Sequence, residues 1–289
     1  MTSLLTVALL HPGQMGAAIG RELVRSGVPV LWCPTGRSAA SARRASEAGL
    51  RPVADLGQLL SEASIAISLC PPAAAEETAA SVREAGFTGV FVEANAISPE
   101  RAGRIADDLT ASGAQVVDGS VIGPPPGGSV GTHLYLSGVS TEVSEVVKLF
   151  EGTAVEPIAI DGPVGRASAL KMAYGSYQKA TCALAAVAQA LADAHGVSEQ
   201  LTAEARRLAK SPLATPDYLS GVAAKAWRWA PEMREVADTL ASTGLPSDLA
   251  AAAASAFELW NGDKDNFDIP LPDVLAHLRT NKPASVSDQ

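Results

Sequence analysis

Val7-Ala8-Leu9-Leu10-His11-Pro12-Gly13-Gln14-Met15-Gly16-Ala17-Ala18-Ile19-Gly20 decides how the rest of this chain is read. A short apolar run meets a Pro-Gly turn and leaves as an Ala-rich segment of helical character. A strand, a tight turn and a helix with glycines at these places suit a dinucleotide pyrophosphate. Gly13 lets the diphosphate approach the backbone, and Gly16 lets the helix pack closely on the sheet. The helix N-terminus adds free N–H groups and a partial positive charge. The standard G-x-G-x-x-G carries a further glycine at its first place, which His11 holds here. His11, Pro12, Gly13, Gln14, Met15 and Gly16 are the expected cofactor-cradling set, with His11 a turn residue beside the cofactor and not a catalyst.

Outward from this turn, short Val-, Ile- and Leu-rich runs recur at Leu4–Leu10, Val28–Trp32, Ile65–Leu69, Val90–Glu93 and Gln115–Val121. Amphipathic, Ala-rich stretches lie between them at Met15–Ser26, Ser38–Ala48, Ala73–Ala85 and Ser98–Ser112. Strands alternating with helices of this length imply βαβ units and a parallel sheet covered on both faces. Ser98-Pro99-Glu100 reads as a helix start, with Ser at the N-cap and Pro at the first helical position. Thr132–Leu136 and Val155–Ile160 are expected to add two further strands. After residue 160 the strand-like runs stop. Arg166–Ala194 reads as one long helix, and the remainder as helices broken at Pro212, Pro216, Pro231, Pro246, Pro270 and Pro272, with a frayed polar end over Thr280–Gln289. The expected architecture is a Rossmann-like α/β domain over residues 1–163 and an all-α domain over 164–289, joined by an interdomain helix at about 166–194.

Composition narrows the partners. With 22 basic against 31 acidic residues the 289-residue chain carries a net charge of −9, which gives no footprint for nucleic acid or anionic lipid. The three cysteines, Cys33, Cys70 and Cys182, are too few and too widely spaced for a disulfide framework or zinc knuckle, and the four histidines are scattered, so no metal is expected. The apolar start lacks a basic flank and runs into Pro12-Gly13, so it reads as a strand and not as a signal peptide. No run reaches the roughly 18 apolar residues of a membrane span. A cytoplasmic protein acting on a small molecule is the expectation.

The residues after the second strand choose between the two nicotinamide dinucleotides. An NAD site places Asp or Glu about 20 residues beyond the glycines, on the ribose 2′-hydroxyl. Here no acidic residue occurs from Leu23 to Ser46. Thr35, Arg37 and Ser38 offer a guanidinium and hydroxyls, which match a 2′-phosphate. NADP(H) is the expected cofactor, and Arg43 and Arg44 are read as solvating a helix face.

Five motifs in order then resemble the β-hydroxyacid dehydrogenase and 6-phosphogluconate dehydrogenase superfamily, which also contains imine reductases. They are His11-Pro12-Gly13-Gln14-Met15-Gly16 in place of GLGxMG, and Ser68-Leu69-Cys70-Pro71-Pro72. Glu93-Ala94-Asn95-Ala96-Ile97-Ser98-Pro99 and Asp118-Gly119-Ser120-Val121-Ile122-Gly123 follow, then Gly162-Pro163-Val164-Gly165 with Lys171 on the long helix. The resemblance covers nearly the whole chain and is strongest to a phosphogluconate-dehydrogenase-like branch with its own C-terminal domain.

The resemblance implies that Lys171 is the general acid/base of a hydride-transfer reaction between C–OH and C=O. A lysine enclosed near cofactor would exchange its proton near neutrality. It also implies cofactor contacts at Cys70, Pro71 and Asn95, although a turn or N-cap role for Asn95 stays open and Cys70 reads as a packing thiol. Helical spacing puts Lys171, Gly175, Gln178 and Cys182 on one stripe, with Tyr174 about 60° to its side.

Two departures mark the substrate side. Gly175 stands where the family's KxxxN pattern has Asn, leaving Tyr174 or Gln178 to orient substrate. Ile122 stands where a DxPxSGG-like turn has Ser, and Gly123-Pro124-Pro125-Pro126 follows with few N–H donors. Ser120, Ile122, Gly123, Gln178 and Trp229 are the expected substrate contacts, for a partly apolar molecule that is not a plain β-hydroxy acid. Trp229 belongs to Trp227-Arg228-Trp229, a segment that reads first as core packing, with a pocket wall over the substrate as the alternative. The Ala-rich helices predict a homodimer through the helical domain. An imine reductase is the alternative within enzymes, and a non-catalytic NADP-binding protein the alternative outside them.

Overall fold

The computed structural model of the chain describes residues 5–208 and 215–279. The chain divides between Met172 and Ala173 into two compact units.

The first unit is built on an eight-stranded sheet. Its strands are β1 (Val7–Leu9), β2 (Val30–Trp32), β3 (Arg51–Pro52), β4 (Ile65–Ser68), β5 (Val90–Glu93), β6 (Gln115–Ile122), β7 (Thr132–Gly138) and β8 (Val155–Ala159). Their order is β3-β2-β1-β4-β5-β6-β7-β8. The first six strands run parallel, β7 is antiparallel to β6, and β8 is parallel to β7. The sheet is thus mostly parallel, with the two added strands reversed. Only nine residues separate β6 from β7, too few for the crossover a parallel pair needs.

Helices α1 (Gln14–Arg25), α2 (Ala39–Glu47), α3 (Leu56–Ser61), α4 (Ala75–Glu84), α5 (Pro99–Ala111) and α6 (Ser140–Leu149) connect the strands. Alternation along each strand feeds two cores. Val7, Leu9, Ile65, Ile67, Val90 and Val92 point to one face with Ile19, Leu23 and Val146. Ala8, Leu10, Ala66 and Phe91 point to the other with Leu59, Val82 and Ile105. Burial on both faces is why these strands read as continuous apolar runs. Local chemistry sets the helix limits. Ser38, Asp55 and Ser98 accept from the backbone N–H groups of Ser41, Gln58 and Arg101 at the starts of α2, α3 and α5. Gly27 and Gly113 end α1 and α5 at φ +91° and +98°, where a side chain would be strained.

The second unit begins within α7 (Arg166–Ala194) and continues through α8 (Ser198–Arg207), α9 (Leu219–Ser242), α10 (Asp248–Glu258) and α11 (Leu271–His277). Its core gathers around Trp260, which is fully buried and donates from Nε1 to the Val274 carbonyl at 2.8 Å. Phe257 stacks edge-on with Trp229 at 5.6 Å between ring centres.

The sequence places a break at Pro231, but Pro231 lies inside α9. A proline there forfeits one helical hydrogen bond, and the buried Ala226, Ala230, Met233 and Val236 on either side hold the helix together through it. Pro212 and the polar end over 280–289 lie outside the described residues. Strand β3 and helices α3 and α6 are not foreseen in the sequence.

Candidate active site

The sheet reverses its order between β1 and β4, and the His11–Gly16 turn leaves β1 at that point. In open α/β sheets such a reversal leaves a crevice at the carboxyl ends of the strands, where ligands bind. Helix α1 starts at Gly13, which offers no side-chain cap, and its first turn holds no acidic residue. Its leading N–H groups therefore face outward as donors. A Cβ on Gly13 would meet nothing within 4 Å, whereas one on Gly16 would lie 2.3 Å from the His11 carbonyl oxygen. Gly13 thus keeps open space over the amides, and Gly16 is dictated by contact of helix with turn. This donor set fits a phosphate.

His11 is half-buried and its Nδ1 finds no partner among the described residues. Burial, aided by the Arg37 guanidinium, pushes its pKa down to about 4, so the imidazole is neutral at pH 7. Arg37 itself is exposed, in a turn at the end of β2 where its N–H donates to the Pro34 carbonyl at 3.0 Å. Thr35 donates to the Ala54 carbonyl at 3.3 Å, and Ser38 caps α2. Arg44, read from sequence as solvating a helix face, is instead half-buried and ties α2 to the turn, with Nε on the Pro12 carbonyl at 3.2 Å.

A second loop is locked beside the first. Asn95 is buried, and its side chain bridges β4 and β5: Oδ1 accepts from the Cys70 N–H at 2.5 Å and Nδ2 donates to Ser68 Oγ at 2.9 Å. The Asn95 N–H in turn donates to Glu93 Oε1 at 3.0 Å. Asn95 thereby fixes the loop Cys70-Pro71-Pro72 at the carboxyl end of β4. Burial raises the Cys70 thiol's pKa, which leaves it protonated and a poor nucleophile.

Glu93 is a buried group that spacing and residue type in the sequence do not mark. It is 1% exposed, and its Oε2 has no partner among the described residues. Burial pushes it up to about 8, with Asp118 and Glu76 adding to the rise against two hydrogen bonds from Asn95. At neutral pH this carboxyl is mainly protonated. It belongs to a buried polar row, Ser68, Glu93, Asp118 and Ser137, in register across β4 to β7. On the same face of the sheet, two residues back, lies the apolar row Ala66, Phe91 and Val116.

Asp118 ties the row to helix α7. Its Oδ2 accepts from the N–H groups of Gly165 and Ser168, each at 2.9 Å, and from Ser137 Oγ at 3.1 Å. Its Oδ1 accepts from Ser168 Oγ at 2.6 Å. A carboxylate on the first turn satisfies amides that have no helical partner and suits the positive end of the helix dipole. Burial raises the Asp118 pKa, and these hydrogen bonds oppose it. One turn further along, Lys171 is half-buried and donates from Nζ to the Val121 carbonyl at 2.6 Å. The ammonium thus stands at the carboxyl end of β6, on the same sheet edge as the turn after β1.

Ser120 lies inside β6, fully buried, its hydroxyl without a partner among the described residues. Ile122 closes β6, and Gly123 follows at φ +118°. In the second unit Tyr174 is 46% exposed, while Gln178 and Trp229 are half-buried. The described residues hold no cluster of three or more His, Cys, Asp or Glu placed to bind a metal. No helix among them is long and apolar enough to cross a membrane. An open hollow of about 420 Å³ lined by Arg21, Val24, Arg25 and Glu47 lies along the far half of α1, away from the turn.

Residues 6–161, more than half of the chain, match the family described as the NAD-binding domain of 6-phosphogluconate dehydrogenase, and the chain belongs to that family. A nicotinamide dinucleotide is the cofactor this membership implies. Residues 192–260 match a domain of unknown function, DUF1932. Among solved structures, 3-hydroxyisobutyrate dehydrogenase of Mycobacterium tuberculosis superposes with a TM-score of 0.74 at 19% identity, over 96% of this chain and all (100%) of that one. A conserved protein of unknown function, described as similar to 3-hydroxyacid dehydrogenases, gives 0.69 at 22% identity over 96% and 100%. The Streptomyces aurantiacus imine reductase gives 0.58 at 22% identity over 95% and 100%. At these identities the likeness is one of fold, a dehydrogenase-like one. No curated protein matches the chain.

Proposed function

We propose that the protein is an NADPH-dependent oxidoreductase that interconverts C–OH and C=O on a small, partly apolar molecule, with Lys171 as general acid/base. The observation that supports this most is the position of the Lys171 ammonium, at the sheet edge where the free amides of α1 also lie. The bound dinucleotide would supply or accept the hydride. Reduction of a carbonyl leaves an alkoxide, and Lys171 is the group here able to give it a proton; in the reverse direction Lys171 takes the hydroxyl proton. Asp118 is a positioning residue that pins the first turn of α7 and so the lysine. The neutral His11 adds no charge at the turn, and Arg37, with no acidic partner among the described residues, supports recognition of a 2′-phosphate beside Thr35 and Ser38.

On this reading Pro71 and the Asn95-locked loop border the cofactor, and Ile122 and Gly123 border the substrate. Ser120, whose buried hydroxyl has no partner among the described residues, is the side-chain donor proposed beside them. Tyr174 or Gln178 would stand in for the missing family Asn at Gly175, and Trp229 is the apolar substrate contact proposed from the second unit. The exposed Tyr174 also favours the second reading, reduction of C=N, in which its hydroxyl is the proton donor. The exposed Tyr174, Tyr177 and Leu184 on α7 form an apolar stripe, consistent with a homodimer; a monomer in sedimentation at micromolar concentration would contradict that. A cytoplasmic location follows from the same reading.

Replacement of the lysine tests the assignment. Lys171→Ala should abolish NADPH-dependent turnover of carbonyl substrates, by a factor of about 10²–10⁴, with NADPH affinity unchanged. Undiminished turnover would overturn the role of Lys171. Turnover confined to imines and lost in Tyr174→Phe would establish the second reading.

A further inference from the structure

Helix α9 presents Tyr218, Lys225, Trp229 and Glu232 at intervals of seven, four and three residues, which puts them on one face. Tyr218 is the residue before its first turn. Within the same unit, Lys179 and Cys182 come from α7. Lys179 is buried and pairs with Glu232 at 2.6 Å, its Nζ 5.8 Å from the centre of the Trp229 ring. Lys225 holds its own Nζ 5.4 Å from that ring. Three cations, Lys179, Lys225 and Arg228, thus gather where Glu232 pairs with Lys179 alone. The concentration is pronounced in a chain of net charge −9.

Lys179 has its counter-ion; the other two do not. Among the described residues neither Lys225 nor Arg228 has a carboxylate or hydrogen-bond partner, although both are half-buried. The Tyr218 hydroxyl is buried and likewise has no partner. Leaving a buried donor unsatisfied is unfavourable, and more so for a charged one. Burial, then the neighbouring Arg228, lowers the pKa of Lys225. Burial, then Cys182, pushes Tyr218 up to about 12, so it remains a donor at all ordinary pH. The unsatisfied groups are an ammonium, a guanidinium and a phenol O–H, all of them donors. Their common complement is an oxyanion, which accepts from each and neutralises the repulsion between the two cations.

We propose that Lys225, Arg228 and the Tyr218 hydroxyl form a binding site for a small oxyanion, a carboxylate or phosphate group, beside the Trp229 ring. The site lies wholly within the helical unit and does not depend on the hydride chemistry proposed above.

Thermal unfolding of the full-length protein tests it without any turnover assay. Sodium phosphate and sodium acetate are titrated separately at pH 7.5, against sodium chloride of matched ionic strength. An occupied site raises Tm with anion concentration, whereas a general salt effect is shared by variants that lack the site. Lys225→Gln should weaken the apparent affinity by about tenfold or more, and Tyr218→Phe by several-fold. Without anion, Lys225→Gln should melt at or above the wild-type temperature, because it removes the repulsion with Arg228. A response to phosphate alone identifies a phosphate site, and a response to both anions a site that accepts carboxylates. The proposal is overturned if neither anion shifts Tm beyond chloride, or if the wild-type shift persists undiminished in both variants.

Discussion

Glu93 carries a consequence that can be measured without knowing the substrate. Its pKa near 8 exceeds the ordinary value of 4.5 because burial disfavours the charged form. Between about pH 4.5 and 8 the folded chain therefore holds a proton that the unfolded chain has released, and this contribution to stability is lost as pH rises. Glu93→Gln keeps a neutral group and an acceptor for the Asn95 N–H. Its Tm should overtake the wild type as pH climbs toward 8, while at pH 5 the two should lie close together. A constant gap between them across that range would contradict a protonated Glu93. The sequence showed this site only in part. Gly13, Gly16 and Lys171 stood out because spacing and residue type mark them. Glu93 and Asp118 carry no such mark of spacing, although a carboxylate ending or interrupting a Val-rich strand is itself a signal of a buried polar role. The burial of Arg44 is a tertiary fact that helical periodicity could not supply.

At the level of elements, α7 depends on its first turn. The Asp118 carboxylate receives four hydrogen bonds there, from Gly165, from the amide and hydroxyl of Ser168, and from Ser137. Asp118→Ala would strand two buried amides and two buried hydroxyls, with an expected loss of roughly 3–5 kcal/mol in urea unfolding. Asp118→Asn, which keeps one acceptor oxygen, should lose distinctly less. A loss below about 1 kcal/mol for Asp118→Ala would show that the turn is held by other contacts. Long periodic elements were legible: Arg166–Ala194 coincides with α7, and the Ser98 cap lies where the Ser-Pro-Glu signal put it. Short elements were not. The two-residue edge strand β3 and the six-residue α3 are shorter than the windows in which a period becomes visible. Pro231 shows tertiary packing overriding a local breaker.

Across the described residues, two places in an acidic chain set cations without a carboxylate partner against a buried or half-buried group: Arg37 beside His11 at the turn after β1, and Lys225 with Arg228 on α9. Both suit anionic groups of small molecules, while a net charge of −9 disfavours polyanions. The βαβ alternation was readable because strands buried on both faces leave unbroken apolar runs. The reversal of β7 and β8 was not, since strand direction is set by connection length and packing and leaves no mark on composition. A fluorescence titration of the full-length protein with NADPH and with NADH, in the wild type and in Arg37→Ala, bears most directly on how this molecule works. NADPH should bind at least about tenfold more tightly than NADH, and Arg37→Ala should erase that preference by weakening NADPH alone. Tighter binding of NADH would contradict the 2′-phosphate role of Arg37, and no binding of either dinucleotide would contradict the cofactor site read from the turn at His11–Gly16.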